Sequence, residues 1–271
     1  MEKVESGKGH LAGHVAIVTG GSSGIGRASC LRLAKEGATV VVVGRNPKHV
    51  AGLVREIRAL GMSGTLGLEL DVCQEQDMEK MVRRTLQTFG RIDILITAAG
   101  TLRGSGGWPR RLSEMSSKEW DEVINTNLKG VFLSNRAVLP TMIRQRSGNI
   151  INVSSTSGLK GLAYDSAYSA SKFGVIGLSE AVAKEVDHYG VRVQVLLPGA
   201  VDTPMWKDSD AIPHLNPALP VERVADIIVY LITRPEDVSL TDMKVIRFEK
   251  SEWNLARRPT SFGIAKASTE S

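Results

Sequence analysis

The sequence predicts an α/β protein built around a single parallel β-sheet. Short apolar runs rich in β-branched residues alternate with longer amphipathic segments along most of the 271 residues. Runs that are apolar throughout indicate strands covered on both faces, and helices that alternate with such strands produce parallel pairing. Apolar residues make up 42% of the chain, which is sufficient for a packed core.

Run length and periodicity predict seven strands and six helices. The strands are expected at Val15–Thr19, Thr39–Val43, Thr65–Leu70, Ile92–Thr97, Asn149–Val153, Val191–Leu197 and Met243–Phe248. The helices are expected at Gly24–Glu36, Pro47–Leu60, Gln74–Phe89, Ser117–Gln145, Ser166–Tyr189 and Val221–Ile232. Two helix starts carry capping signals. Asn46 precedes a proline at the first helical position, and Ser116 and Glu119 have the spacing of a capping box.

The alternation of strands and helices is unbroken, so we expect a single domain over residues 14–250. Residues 1–13 and 251–271 lack periodicity and are expected to form mobile tails. The formal net charge is +5, but the 34 basic and 29 acidic residues are interspersed and aromatic residues are few. This pattern indicates a solvated surface, and no nucleic-acid partner is expected.

The cysteines, the histidines and the N-terminus favour a cytoplasmic protein. Cys30 and Cys73 lack metal-ligand spacing and are expected to be reduced thiols. The five histidines do not pair with cysteines or carboxylates at metal-ligand spacing, so no metal is expected. The opening residues lack the apolar core of a signal peptide, and no apolar run approaches membrane-spanning length, so no membrane contact is expected.

A glycine-rich loop follows the first predicted strand and leads into the first predicted helix. Glycines allow a tight turn and close approach to a diphosphate, and free amides at a helix N-terminus attract its negative charge. The loop therefore predicts a dinucleotide site, formed by Gly20, Ser22, Ser23, Gly24, Ile25 and Gly26. The alternative is an ordinary Gly/Ser turn between a strand and a helix.

The end of the second predicted strand indicates which dinucleotide binds. An acidic side chain at this position selects NAD, whereas an arginine in its absence accommodates the 2′-phosphate of NADP. Gly44 occupies the acidic position and Arg45 follows it. We therefore expect NADP(H), with Arg45 at the 2′-phosphate. The alternative is a solvated arginine in a loop.

Tyr168, Lys172 and Ser155 form the candidate catalytic group. A helix puts Tyr168 and Lys172 on one face, one turn apart, and Ser155 lies thirteen residues before Tyr168. A nearby ammonium favours the phenolate and is expected to lower the pKa of the tyrosine from its usual value of about 10. Such a phenol can donate a proton to a carbonyl oxygen or accept one from an alcohol.

Taken together, these motifs resemble those of the short-chain dehydrogenase/reductase family. The resemblance extends from Val15 to Phe248, and the motifs stand in the family's order and at its spacing. They are Thr19-Gly20-x-x-x-Gly24-x-Gly26, Asp71-Val72, Ala99-Gly100, Asn127-x-x-Gly130, Ser155, Tyr168-x-x-x-Lys172 and Pro198-Gly199-x-x-x-Thr203. The resemblance implies a Rossmann-type doubly wound sheet of about seven strands, and NAD(P)(H)-dependent oxidoreductase activity similar to that of NADP-dependent 3-oxoacyl reductases.

The resemblance also assigns four catalytic roles. Tyr168 would be the general acid in reduction and the general base in oxidation, and Lys172 would lower its pKa and hydrogen-bond the nicotinamide ribose. Ser155 would hold the substrate oxygen; the alternative is a turn or cap serine, because neighbouring hydroxyl residues offer the same chemistry. Asn127 would anchor a water that links Lys172 to solvent, although a second asparagine two residues earlier weakens this assignment.

The remaining cofactor contacts follow from the same resemblance. Asp71 would bind the adenine through its side chain, and the alternative is a helix N-cap before Gln74. Other positions match family residues that line the cofactor, namely Val72, Ala98, Val201 and Thr203.

The sequence departs from the family pattern in three places. Thr97-Ala98 replaces an Asn-Asn pair, so a side-chain bridge between central strands is expected to change. The segment Thr101–Ser116 is long and carries three arginines that form either a basic rim over the site or a solvated loop, namely Arg103, Arg110 and Arg111. The last strand lacks the family's usual ending, which leaves the choice between a homodimer and a homotetramer open.

The leading hypothesis is an NADP(H)-dependent oxidoreductase that reduces a ketone or a 3-oxoacyl group, or oxidises a secondary alcohol. Its expected partner is a small carbonyl or alcohol substrate, free or carrier-linked, under an apolar lid at Pro204–Pro220. The alternative is a non-catalytic NADP-binding sensor or scaffold with the same fold.

Overall fold

A computed structural model of the protein describes residues 9–61, 64–105, 107–206, 218–235 and 237–247. Within these residues, seven parallel strands form one sheet in the order β3-β2-β1-β4-β5-β6-β7. The strands are β1 (Val15–Thr19), β2 (Thr39–Gly44), β3 (Thr65–Glu69), β4 (Ile94–Thr97), β5 (Gly148–Val153), β6 (Val191–Pro198) and β7 (Met243–Val245). The predicted strands are therefore all present; β1 has the predicted ends, and the ends of the others differ by up to three residues.

Helices connect the strands and cover both faces of the sheet. They are α1 (Gly24–Lys35), α2 (Pro47–Ala59), α3 (Glu75–Phe89), α4 (Ser117–Ile124), α5 (Gly130–Gln145), α6 (Ser166–Val186) and α7 (Val221–Ile232). The predicted helix caps are present. Asn46 accepts hydrogen bonds from two amides at the start of α2, and Ser116 and Glu119 form a capping box at the start of α4.

One predicted helix is wrong in its continuity. The expected helix Ser117–Gln145 is divided into α4 and α5 by a π-helical segment at Asn125–Lys129. A π segment contains one more residue per turn than an α-helix, and such segments are frequent at functional sites. Apolar periodicity alone did not distinguish one long helix from this interrupted one.

Two apolar layers hold the helices against the sheet. Alternate residues of each strand point to opposite faces, so in β1 Ala16 and Val18 pack with α1, α2 and α7, whereas Val15 and Ile17 pack with α3, α5 and α6. All of β1 is buried. The expectation of a doubly wound α/β fold is thus confirmed.

Part of the expected N-terminal tail is ordered. The side chain of Leu11 is only 3% exposed, and its amide donates to the carbonyl of Glu36 at 2.9 Å. Within the expected tail, residues 9–13 thus pack beside the end of α1 through one apolar side chain, and the mobility of 1–13 stays a prediction. Residues 1–8 and 251–271 lie outside the described residues.

The Thr97 substitution keeps a bridge between the central strands. Thr97 Oγ1 of β4 donates to Asn152 Oδ1 of β5 at 2.9 Å, and both side chains are buried. Asn152 also exchanges hydrogen bonds with Asn135 of α5 and donates to Ser179 of α6. The expected change at this bridge is therefore a shorter side chain in the same connecting role.

Strand order determines where a ligand can bind. The chain adds β2 and β3 on one side of β1 and then returns to place β4 on the other side. Loops leaving β1 and β4 therefore diverge, and they open a crevice at the carboxyl edge of the sheet, the usual ligand site in open α/β sheets. None of the helices in the described residues is long and apolar enough to cross a membrane.

Candidate active site

A cavity of about 1000 Å³ lies at this carboxyl edge. Loops that follow β1 through β6 all contribute to its wall. The predicted site residues that line it are Gly20, Ser22, Ser23, Gly24, Ile25, Arg45, Asp71, Val72, Ala98, Ser155, Tyr168, Lys172, Val201 and Thr203. Gly26 and Asn127 belong to the predicted set but do not line the cavity. The fold thus brings residues from distant parts of the sequence around one cavity.

The loop after β1 can be built only with glycine at two positions. Gly20 has φ of +66°, and a Cβ there would lie 2.5 Å from the amide nitrogen of Ala99. A Cβ at Gly26 would lie 2.2 Å from the carbonyl oxygen of Gly20. Ser23 holds the N-cap position of α1 but makes no side-chain hydrogen bond to the first turn. The amides at this helix start thus face the cavity without a capping side chain, which suits a diphosphate.

The loop after β2 forms one end of the cavity. Gly44 is buried, Arg45 is exposed, and both line the wall together with Asn46 and His49. A Cβ at Gly44 would lie 2.7 Å from Ser22 Oγ, so a larger residue there requires Ser22 to move. Arg45 therefore lines the cavity next to Gly44, which approaches Ser22 of the glycine loop.

Asp71 organises the loop after β3 and does not cap a helix. Its Oδ1 accepts from the amide of Cys73 at 3.0 Å, and its amide donates to Asp77 Oδ2 at 2.8 Å. The N-cap of α3 is Gln74. The N-cap alternative for Asp71 is thus excluded, and the carboxylate lies at the cavity wall as the adenine-contact hypothesis requires.

Ser155, Tyr168 and Lys172 converge on the opposite end of the cavity. Tyr168 and Lys172 both lie in α6, one turn apart, and the Lys172 ammonium is 5.6 Å from the centroid of the tyrosine ring. Lys172 is buried, and its Nζ donates to the carbonyl of Val153 at 2.9 Å. Ser155 follows β5, and its Oγ accepts from the amide of Ser157. The predicted catalytic group is therefore assembled from two elements that meet at β5.

The pKa of Tyr168 differs in direction from the sequence expectation. Burial raises it to about 12, and a hydrogen bond with Ser155 opposes this rise. Burial also lowers the pKa of Lys172 to about 8, because the ammonium has no carboxylate partner. The lowering of the Tyr168 pKa that was expected from Lys172 is outweighed by burial. The ammonium is directed toward the Val153 carbonyl.

Asn127 lies in the π segment and is fully buried. Its Nδ2 donates to the carbonyl of Thr101 at 2.8 Å and to Ser171 Oγ at 3.1 Å, and its Oδ1 accepts from the amide of Thr101 at 2.8 Å. Both amide hydrogens are thus used by protein groups. Asn127 ties the loop after β4 to α6, and its expected role of anchoring a water stays a prediction.

The three arginines of the loop after β4 do not form a common rim. Arg103 is only 10% exposed and pairs with Asp165, which is 8% exposed. Arg110 pairs with Glu119, and Arg111 is exposed. The basic-rim hypothesis is therefore wrong for Arg103 and Arg110, whose charges are already matched by carboxylates.

The segment after β6 closes one side of the cavity. Thr203 approaches the glycine loop, since a Cβ at Gly24 would lie 3.2 Å from its methyl group. Trp206 Nε1 donates to the carbonyl of Val201 at 2.8 Å, and Met205 and Trp206 both line the cavity. The rest of the predicted lid, 207–217, lies outside the described residues.

Sequence reasoning missed several residues that shape the site. Thr101 holds Asn127, Asp165 pairs with Arg103, and His49 lines the cavity beside Arg45. Asp165 stands just before the predicted start of α6, a position where an acidic cap is common. Nothing in the sequence pattern indicates the other two roles, because each depends on contacts between distant segments.

Comparison with known proteins identifies the family. The model of the short chain dehydrogenase family matches residues 14–212. The chain is 41% identical over 196 residues to 3-oxoacyl-[acyl-carrier-protein] reductase of Thermotoga maritima, covering 72% of this chain and 77% of that protein.

Two solved structures share the fold over almost their whole length. Levodione reductase matches with a TM-score of 0.79 and 30% identity, covering 87% of this chain and 96% of that one. A metagenomic short-chain oxidoreductase in complex with NADP matches with a TM-score of 0.77 and 31% identity, covering 89% and 100%. The family model, the sequence relative and the shared fold agree with the motifs gathered around the cavity, and this chain belongs to the short-chain dehydrogenase family of oxidoreductases.

Proposed function

We propose that the protein is an NADP(H)-dependent oxidoreductase that reduces a ketone or 3-oxoacyl group, or oxidises the corresponding secondary alcohol, with Tyr168 as general acid and base. One observation carries this proposal. A single cavity extends from the glycine loop to Ser155, Tyr168 and Lys172, so a dinucleotide and a carbonyl substrate can meet inside it.

The residues around the cavity fit a nicotinamide dinucleotide. Gly20 and Gly26 leave no room for a Cβ where a diphosphate approaches, and Thr19 Oγ1 is buried without a hydrogen-bond partner at the end of β1. Arg45 would meet a 2′-phosphate and Asp71 the adenine, while Val201 and Thr203 would line the nicotinamide. When bound, the nicotinamide supplies or accepts the hydride of the reaction.

Ser155, Tyr168 and Lys172 would handle the charge and the proton at the substrate oxygen. Reduction of a carbonyl leaves negative charge on its oxygen, and two hydroxyl donors stabilise that charge where it develops. Tyr168 would then transfer its proton to the same oxygen, and in the reverse direction it would accept the proton of the alcohol. The nearby Lys172 ammonium would stabilise the tyrosinate that remains.

The shape of the cavity favours an apolar carbonyl substrate. Met205 and Trp206 line the cavity, and Arg103 and Arg110 of the loop after β4 are paired with carboxylates, whereas Arg111 is exposed. The similarity to the Thermotoga 3-oxoacyl reductase supports a carrier-linked substrate as the second candidate. Arg111 would then be the residue that meets a phosphorylated carrier arm.

A turnover assay with two substrate sets tests the proposal. Cyclic and open-chain ketones form one set and 3-oxoacyl thioesters the other, each with NADPH and NADH. We expect NADPH-dependent reduction in at least one set and loss of that activity in Tyr168→Phe. NADPH binding without turnover of any carbonyl would instead support the sensor or scaffold alternative.

The assembly and the compartment stay predictions. We expect a homodimer or homotetramer in the cytoplasm, without nucleic-acid or membrane partners. Analytical ultracentrifugation at several protein concentrations would measure the assembly.

A further inference from the structure

An ion pair links the loop after β4 to the start of the helix that carries Tyr168. Arg103 donates to Asp165 Oδ1 from Nε at 3.1 Å and from Nη2 at 2.9 Å. Asp165 is the N-cap residue of α6, three positions before Tyr168, and its carbonyl accepts from the amide of Ser169 at 2.8 Å. The pair therefore contacts the first helical turn, in which Tyr168 lies.

The loop that carries Arg103 is also tied to α6 at a second point. Thr101 Oγ1 donates to the carbonyl of Arg103 at 2.7 Å. The backbone amide and carbonyl of Thr101 each form a hydrogen bond with the side-chain amide of Asn127. Asn127 in turn donates to Ser171 of α6. The loop, the π segment and the helix thus form a closed chain of contacts around Tyr168.

Burial makes the pair costly in stability and useful in positioning. Both side chains are about nine-tenths buried, and Arg103 Nη1 has no hydrogen-bond partner. Removing two charges from water offsets most of the attraction between them, so a buried pair contributes little net stability. Loss of one partner leaves an unmatched charge, and here that charge would lie beside the catalytic phenol.

The charged groups around Tyr168 are few. Lys172 lies one turn along α6, and Asp165 and Arg103 line the same small side cavity as Tyr168. A side cavity of about 20 Å³ borders Tyr168 and is also lined by Arg110 and Glu119, which form a pair of their own. Burial is the main cause of the raised pKa of Tyr168, and the nearby Asp165 charge acts in the same direction.

We propose that Arg103 and Asp165 are positioning residues for Tyr168: their ion pair fixes the start of α6 against the loop after β4, and each residue cancels the charge that the other alone would place beside the phenol. This inference rests on the proposed function of Tyr168 as the proton donor and acceptor.

Opposite charge changes at the two positions test the proposal. Arg103→Met leaves a carboxylate near the phenol, which disfavours the tyrosinate. The pH at which alcohol oxidation reaches half its maximal kcat/KM should therefore rise by about 1 pH unit. Asp165→Asn leaves a guanidinium and should lower that pH by a similar amount. The pH profile of the double variant should return close to that of the wild type. Arg103→Lys, which keeps the positive charge, should have nearly the wild-type profile.

Arg110→Met is the matched control, because it removes an arginine from the same loop whose partner is Glu119. It should leave the pH profile unchanged. Single variants that shift the profile in the same direction, or not at all, would overturn the proposal as long as Tyr168→Phe is inactive. If Arg103→Met does not fold, Asp165→Asn still gives its downward shift, and Arg103→Lys, which keeps the positive charge, should still match the wild-type profile.

A second measurement does not depend on turnover. Tyrosinate formation is followed by ultraviolet difference absorbance in the free protein, with Tyr168→Phe subtracted to isolate Tyr168. Asp165→Asn should ionise at lower pH than the wild type, and an unchanged titration would contradict the inference. If no carbonyl is reduced by the wild type but this shift is present, the proposed function fails and the charge coupling stands.

Discussion

The two ends of the cavity are constructed in different ways. The end formed by the loops after β1 and β2 consists mainly of backbone, with glycines that admit no Cβ and one exposed arginine, Arg45. The end formed around α6 is lined by buried side chains such as Ser155 and Lys172, each held by hydrogen bonds to neighbouring protein groups, and Asn127 supports this end from behind. The first end has room for a group that arrives with its own charge. The second end holds ionisable groups whose protonation states must be established before a substrate binds.

This difference separates binding from chemistry. A change in the backbone-lined end should alter which dinucleotide binds and how tightly, whereas a change in the side-chain network should alter proton transfer. Five substitutions, taken from the largest expected effect to the smallest, test this difference.

Tyr168→Phe should give the largest effect. It removes the proton donor and one oxyanion hydrogen bond, each of which typically contributes about a hundredfold or more, so kcat should fall at least ~100-fold. The dissociation constant for NADPH, measured by fluorescence titration, should change less than about twofold, because the phenol lies away from the glycine loop. Tyr164→Phe, at an exposed tyrosine of the preceding loop, is the control. Near-normal turnover in Tyr168→Phe would remove the proposed mechanism.

Arg45→Ala should weaken NADPH binding and leave kcat nearly unchanged. Loss of a hydrogen bond to a charged group costs about 1.5–3 kcal/mol, which corresponds to roughly 10- to 150-fold in the NADPH dissociation constant. NADH binding should hardly change. Arg55→Ala, at an exposed arginine of α2, is the matched control. Equal affinity of the wild type for the two cofactors would contradict this assignment.

A change at the neighbouring Gly44 should alter the preference between NADPH and NADH in the same direction. Gly44→Asp should move preference toward NADH, because a carboxylate can bind ribose hydroxyls and repels a phosphate. A Cβ at this position would lie 2.7 Å from Ser22 Oγ, so the change is best made together with Ser22→Ala.

Lys172→Met should change how stability depends on pH. The pKa of Lys172 is about 8 in the folded protein and 10.5 in its ordinary state. Below pH 8 both states are charged and the folded state bears the cost of burying the ammonium. Between these two pH values the unfolded chain binds more protons, so wild-type stability rises with pH. The stability advantage of Lys172→Met over the wild type should therefore be largest near about pH 7 and shrink by about 2 kcal/mol near about pH 10.

Urea unfolding at several pH values measures this difference, and Lys35→Met, at an exposed lysine of α1, is the control. An advantage that grows with pH would mean that burial does not govern the protonation of Lys172.

Thr97→Val should give the smallest effect, about 1 kcal/mol in the free energy of unfolding. It removes the donor to Asn152 but preserves the side-chain shape, and Asn152 Oδ1 keeps its hydrogen bond from Asn135. Thr85→Val is the control, because Thr85 is equally buried and bonds only to a carbonyl of its own helix. Denaturant unfolding should show a smaller loss for Thr85→Val. If both variants lose the same free energy of unfolding, the hydrogen bond between Thr97 and Asn152 contributes no more to stability than a bond within one helix.

Most of the fold could be predicted from the sequence because its signals are local. β1 is apolar throughout, and the caps at Asn46 and Ser116 mark helix starts that the structure contains. The division of the helix at Asn125–Lys129 was missed, because its cause lies in contacts of Asn127 with a distant loop. The packing of residues 9–13 against the domain was missed for a similar reason, since it depends on the burial of a single leucine, Leu11.

The candidate site was predictable where one segment supplies the chemistry. The glycine spacing and the Tyr168–Lys172 spacing are both properties of short stretches. The partner of Arg103 and the direction of the tyrosine pKa depend on burial and on residues far apart in sequence. Charge and exposure cannot be inferred from a residue's identity alone, which is why three similar arginines have three different environments.

The π segment at Asn125–Lys129 makes length the sensitive property of this part of the chain. Each residue of an α-helix turns the chain by about 100°. Insertion or deletion of one residue here would therefore rotate α5 relative to α4 and turn Asn127 away from the loop that it holds. Gly130, at the start of α5, adds a second restriction, because a Cβ there would lie 2.7 Å from a methyl group of Val72. Many substitutions at Lys129, the exposed position of this segment, would be neutral, but a change of one residue in its length would disconnect the catalytic helix from the cofactor side of the cavity.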